Sequence, residues 1–210
     1  MDNKIIALTF DDGPSDTTTG QVLDVLERLG AKGTFFLIGD NITTERIPLV
    51  ERALSLGCEI ENHSKTHSDM RALTREQIDS EIKYTTDRIT AITGRVPEFF
   101  RPPYIYYNDL MYETIDLVFI SGYGCEDWEA DASAEHRIER TLAQAEDGAV
   151  ILLHDFEGNH KTVEALEAII PALREQGYEF VTVSELFRRK GVNLAGQRGI
   201  LFNVTSQARI

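Results

Sequence analysis

The stretch IIALTFDDGPSDTTTGQVLDVLERLG, Ile5 to Gly30, is the key to the architecture. Its first six residues form an apolar run that reads as a buried strand. Val22, Leu23, Val25, Leu26 and Leu29 then recur at helical spacing until Gly30 stops them. That is one strand-helix unit. Between its two halves stand adjacent carboxylates, Asp11 and Asp12, halted at once by Gly13 and Pro14. Like charges repel, so this placement needs a reason.

Working outward, the unit repeats. GTFFLIG reads as a second strand, ERIPLVERALSLG as a helix ending at a glycine, and CEIEN as a third strand. TREQIDSEIKYTTDRITAITG is the longest helix, with Thr74 and Gln77 in capping-box spacing and Gly94 closing it. After the proline-rich corner RVPEFFRPPY come a strand LVFIS, a helix AEHRIERTLAQAEDG, a strand AVILLHD, a helix TVEALEAIIPALREQG and YEFVTV leading into SELFRRK. Strands alternating with helices imply an α/β fold with parallel strands and right-handed crossovers. About seven such units favour closure into a distorted (β/α) barrel, with a doubly wound open sheet as the alternative. One domain is expected over residues 1–190. The weakly periodic segment 191–210 is expected to extend it, packed over the outside.

Composition narrows the function. The 210 residues are 42% hydrophobic and 27% charged, as in a globular protein with a full core. A formal net charge of −14 argues against duplex nucleic acid and anionic membrane surfaces as partners, because both select clustered Lys and Arg. Cys58 and Cys125 show neither metal-motif nor disulfide-framework spacing and read as small buried residues. No signal peptide or spanning helix is evident in the sequence. The chain is therefore expected to be cytoplasmic if it is full length, or an excised domain of a longer secreted protein.

Polar clusters follow successive strands. Asp11 and Asp12 end the first, NHSKTH with His63 and His67 follows the third, RPPY the fourth, EDW the fifth, and LLHD with His154 and Asp155 ends the sixth. His136 and His160 lie at helix starts and read as solvated. Taken singly, each cluster has a bland reading: a turn, a surface pair, a rigid loop, a half-buried indole, a capped strand. Together they fall on the rim where parallel α/β folds carry chemistry, and they supply carboxylates, imidazoles, a guanidinium and an indole. One Asp with two His suits a divalent ion such as zinc, cobalt or nickel with positions left open. The other carboxylate and a third histidine would then serve as base and acid for hydrolysis of an ester or amide.

The ordered set TFDDGP, HSKTH, RPPY, DW and LLHD resembles the polysaccharide deacetylases, the NodB-homology domains of carbohydrate esterase family four. The resemblance runs from about Ile5 to Phe187 and implies a distorted barrel. It implies Asp11 as general base paired with Arg101, and Asp12, His63 and His67 as metal ligands. The backbone N–H of Tyr104 would assist at the oxyanion. His154 would be the general acid, oriented and kept protonated by Asp127, with Trp128 and Leu152 walling the acetyl pocket. Two departures stand out. Gly124 replaces a first aspartate in GCEDW, and Ile105 follows the motif tyrosine where many members have glycine, with Tyr106 and Tyr107 beyond as candidates for sugar stacking or simple packing. Asp155 receives no role. The implied substrate is an acetylated polysaccharide or oligosaccharide. Acetylated xylan is favoured on the short EDW motif, the closing GYEFVTVSELF and the acidity of the chain; N-acetylglucosamine polymers are the alternative. Appended modules of a longer protein are a further expectation. A catalytically silent binding module would have lost a catalytic position, and a metal phosphohydrolase would want a basic phosphate cradle. Neither condition is met.

Overall fold

The computed structural model describes residues 4–209. The elements run β1 (Lys4–Asp11), α1 (Thr18–Leu29), β2 (Gly33–Leu37), α2 (Ile47–Ser55), β3 (Glu59–Asn62), α3 (Arg75–Thr93), β4 (Phe99–Phe100), α4 (Asp109–Thr114), β5 (Val118–Ile120), β6 (Tyr123–Gly124), α5 (Ala134–Gln144), β7 (Val150–His154), α6 (His160–Glu175), β8 (Tyr178–Phe180), α7 (Val183–Arg189) and β9 (Leu201–Phe202). Every pairing between these strands is parallel, in the order β6-β7-β1-β2-β3-β4-β5-β9, with β8 pairing the start of β1. Among the described residues no helix is long and apolar enough to cross a membrane.

The α/β barrel is the expected one, and its distortion has a local cause. β5 and β6 are one bent run, Val118 to Gly124. Its first part pairs with β4 and its last part with β7, so the circuit of hydrogen-bonded strands returns to β1. Where the run bends, at Ser121 and Gly122, the base of the barrel is left open between β5 and β7. The C-terminal segment fills that gap: Phe119 and Ile120 pair with Leu201 and Phe202, and Val150 N–H donates to the Asn203 carbonyl at 2.9 Å. Phe202 is fully buried among Ile120, Val150 and Phe187. The segment after Gly191 thus enters the sheet instead of lying only over the outside. Two-residue strands carry no periodic signal, which is why β6 and β9 take the count above the expected seven. α4 also escaped the sequence pattern, being six residues capped by the Asn108 side chain, which accepts from Met111 N–H at 3.0 Å.

The alternation of β1 sorts the core. Ile5 and Ala7 face the barrel interior with Phe36, Phe99 and Val150, while Ile6, Leu8 and Phe10 face Val22, Leu26, Leu166 and Ile170 on the surrounding helices. Both faces are covered, so the strand reads as a continuous apolar run. The helix stops are local too: Gly30 and Gly94 are left-handed at φ 57° and 71°, and the Thr74–Gln77 capping box is formed.

Candidate active site

Parallel register brings the strand ends to one rim. Asp11 is level with His154 across β1 and β7, and Asn62 is level with Phe100 across β3 and β4, so His63 and Arg101 leave the sheet side by side. Asp11 continues the inward face of β1 and is buried. Asp12 would by alternation point away from the interior. It is instead left-handed, at φ 75°, a conformation Asp tolerates better than most residues. The turn expected at Gly13 and Pro14 therefore begins at Asp12 itself, and Asp12 joins Asp11 at the cleft. Asn41 holds it there, its side-chain amide donating to the Asp12 carbonyl at 2.7 Å.

Asp12, His63 and His67 form a three-donor cluster whose ligand atoms all lie within 4.8 Å of one another. Asp12 Oδ1 is 3.3 Å from both imidazole Nε2 atoms and has no hydrogen-bond partner although it is buried. His63 Nδ1 is 2.7 Å from the Arg101 carbonyl, which takes its proton and leaves Nε2 as a lone-pair donor. The loop carrying the histidines is pinned by Glu81 of α3, which accepts from the Lys65 and Thr66 N–H groups at 3.0 and 2.9 Å. Burial opposes ionisation of Asp12, but the adjacent His63, with the charges of His154 and His67, outweighs it and brings its pKa down to about 2. An orphaned carboxylate oxygen between two aligned imidazoles fits a divalent cation, and the open cleft in front of it leaves room for further ligands.

Asp11 is neutralised from behind. Arg101 Nη1 donates to Asp11 Oδ1 at 2.5 Å, and the fully buried guanidinium lies 4.2 Å over the Phe36 ring. Burial lowers the Arg101 pKa and the Asp11 charge opposes that fall. Asp11 Oδ2, 3.8 Å from His63 Nε2, is left facing the metal cluster.

His154 is held by Asp127 through two bonds: Nδ1 to Oδ1 at 2.8 Å and its backbone N–H to Oδ2 at 2.7 Å. Burial disfavours the imidazolium, but the charge and hydrogen bond of Asp127, with the charges of Asp11 and Asp12, win and raise its pKa to about 9. Asp127 is itself braced by the Thr162 hydroxyl at 2.8 Å. Arg137 donates to that hydroxyl at 2.8 Å and to Asn159 Oδ1 at 2.6 Å. The sequence reading missed Thr162, Asn159 and Arg137, and no motif spacing marks them.

A cleft of 450 Å³ gathers Asp11, Asp12, His63, His67, Tyr104, Trp128, Leu152 and His154, with Arg101 and Asp127 behind their partners. Tyr104 is left-handed and its ring meets the edge of His67, centroids 4.5 Å apart. The half-exposed Trp128 ring lies 5.7 Å from that of His154. Gly124 makes room for this indole, since a Cβ there would meet its ring at 3.1 Å. Tyr106 lines the cleft, whereas Tyr107 packs edge-on against Tyr112. Asp155 has a place after all. Its buried carboxylate accepts from Thr19 Oγ1 at 2.5 Å, burial raises its pKa to about 7, and its N–H donates to the Asp11 carbonyl at 3.0 Å. It fills the space beside Gly13, where a Cβ would come within 2.5 Å of it. Cys58 and Cys125 are buried free thiols.

The family model described as polysaccharide deacetylase matches residues 1–117. A bifunctional xylanase/deacetylase of Pseudobutyrivibrio xylanivorans is 52% identical over 193 residues, covering 92% of this chain and 32% of the relative. The chain thus spans about a third of that relative's length. Among solved structures, the Xyl-CE4 domain of a multidomain xylanase from the hindgut metagenome of Trinervitermes trinervoides superposes with a TM-score of 0.95 at 47% identity, covering 98% of this chain and 99% of that one. A family 4 acetyl xylan esterase from Clostridium thermocellum, in complex with a cobalt ion, gives 0.92 at 39% identity, with 96% and 98% covered.

Proposed function

We propose, from the premise that this chain belongs to the polysaccharide deacetylase family, that it removes O-linked acetyl groups from acetylated xylan in a metal-dependent hydrolysis. The observation that carries the reading is the juxtaposition of the orphaned Asp12 oxygen and two imidazoles with an arginine-paired Asp11 and a carboxylate-held His154 in one cleft.

Asp12, His63 and His67 would hold the ion, for which zinc, cobalt and nickel all suit the donor set. When bound, a divalent ion supplies Lewis acidity, lowering the pKa of a water toward ~7 and polarising the acyl carbonyl. Asp11, with Oδ1 occupied by Arg101, takes the proton of the attacking water on Oδ2. The Tyr104 N–H donates to the oxyanion as the acyl carbon becomes tetrahedral. His154, its Nδ1 committed to Asp127, delivers the Nε2 proton to the departing sugar oxygen. Leu152 and Trp128 shield the acetyl methyl from water.

Xylan is favoured by the similarity to a xylanase/deacetylase and to an acetyl xylan esterase. The net charge of −14 also carries no penalty toward a neutral polymer. Such a polymer is met outside the cell, and we infer an extracellular module of a longer protein. Acetate release from acetylated xylan and from chitooligosaccharides, with and without a chelator, tests the reading. Release from xylan that chelation abolishes is expected. Release from chitooligosaccharides alone would replace it with N-deacetylation, and release unaffected by chelation would remove the metal from the mechanism.

A further inference from the structure

Ile105 occupies a backbone conformation that a β-branched residue avoids. Its φ is +57°, directly after Tyr104 at +58°. In this region Cβ crowds the following carbonyl, and glycine alone escapes the penalty. Such an outlier persists only where its surroundings over-determine it. They do so here. Ile105 N–H donates to the Pro102 carbonyl at 2.9 Å and Tyr106 N–H to the Pro103 carbonyl at 3.0 Å. Before Ile105, the Tyr104 ring rests on His67; after it, the Tyr106 ring lies under the Arg71 guanidinium at 3.8 Å. Arg71 is gripped in turn by Asp69, with Nη2 to Oδ2 at 2.7 Å, and its carbonyl accepts from the Asn108 side-chain amide at 3.2 Å.

None of these contacts uses the Ile105 side chain. Among the described residues it belongs to none of the three apolar clusters of the core. It lines the catalytic cleft. Packing therefore gives no reason for a branched side chain where glycine would fit without strain.

We propose that Ile105 is a specificity-determining residue whose side chain takes up the volume that the exocyclic hydroxymethyl of a hexosamine would need, so that the cleft favours a pentopyranose, which lacks that group. The inference rests on the deacetylase reading above and deepens it. An apolar branched side chain offers a hydroxymethyl no hydrogen bond in exchange for the water it loses. A single misfitting group in a site is worth roughly 10–200-fold in kcat/KM.

The test compares wild type, Ile105→Gly and Ile105→Ala, each metal-loaded, on acetylated xylooligosaccharides and chitooligosaccharides of matched length. Both substitutions remove the branched bulk, but only glycine also relieves the backbone. Both should raise the kcat/KM ratio of chitooligosaccharide to xylooligosaccharide by about tenfold or more, chiefly through a lower KM for the chitooligosaccharide. An unchanged ratio in both overturns the proposal. A change confined to Ile105→Gly assigns the effect to the backbone and overturns it as well. Wild type that releases acetate from neither substrate fails at the earlier step and removes the deacetylase reading itself.

Discussion

Replacing Asp127 by Asn should convert a pH-tolerant acid into a pH-limited one. The substitution keeps the shape of the side chain that meets His154 Nδ1 at 2.8 Å and its N–H at 2.7 Å, but removes the charge. Asp127 supplies the largest effect opposing burial in raising the His154 pKa to about 9. Without it, the value should fall to the ordinary ~6.5 or below, a loss of roughly 300-fold in proton affinity at a factor of ten per pH unit. The acid must be protonated to act, so its contribution is full below its pKa and lost as pH rises through it. At pH 8 about 0.9 of wild-type His154 carries the proton against about 0.03 in the variant, a deficit of roughly 30-fold, whereas at pH 6 the deficit is only about 1.3-fold. The assay is kcat/KM for acetate release across the pH range with saturating metal. A deficit of equal size at both ends would refute the argument, because it would mean that Asp127 acts on geometry and not on the proton. The raised pKa also stabilises the fold, fully below ~6.5 and decreasingly as pH rises toward 9. The difference in melting temperature between wild type and variant should therefore shrink over that window.

Asp11→Asn should keep its metal yet lose roughly 10²–10⁴ in kcat, since it removes the base and spares the ligands; metal analysis showing an empty site would contradict that division. His67→Ala should lose metal on dialysis and recover part of its activity in excess ion, and an unchanged metal content would deny it a ligand role. Phe202→Ala should cost about 3–5 kcal/mol in urea denaturation, because it empties the gap at the base of the barrel. A cost under ~1 kcal/mol would show that the C-terminal segment is peripheral.

The division of labour within Asp11–Asp12 was legible as a motif, but the device that permits it was not. Gly13 looked like the turning residue, whereas the left-handed residue is Asp12, and the glycine is needed because Asp155 fills the adjoining space. Thr162, Asn159 and Arg137 stand behind Asp127 from 10 to 35 positions away, with no shared spacing to reveal them. Ile105 stood out in the sequence only as a departure from RPPYG; its φ, and the Arg71 and His67 contacts that sustain it, belong to the tertiary structure.

Features under the control of short-range physics were legible in the chain before folding. The Thr74–Gln77 box, the stops at Gly30 and Gly94, and the apolar runs of β1 and β7 each depend on residues within a few positions of one another. So did the polar clusters after β1, β3 and β7, because each follows a strand that its own composition marks, whereas RPPY and EDW follow the two-residue β4 and β6. Tertiary structure alone decided how the ring closes, through the bend at Ser121–Gly122 and the insertion of Phe202, and which charges meet. Asp11 and Arg101 lie 90 residues apart, and only strand register, set by burial of whole faces, places a guanidinium behind one carboxylate and two imidazoles before the other.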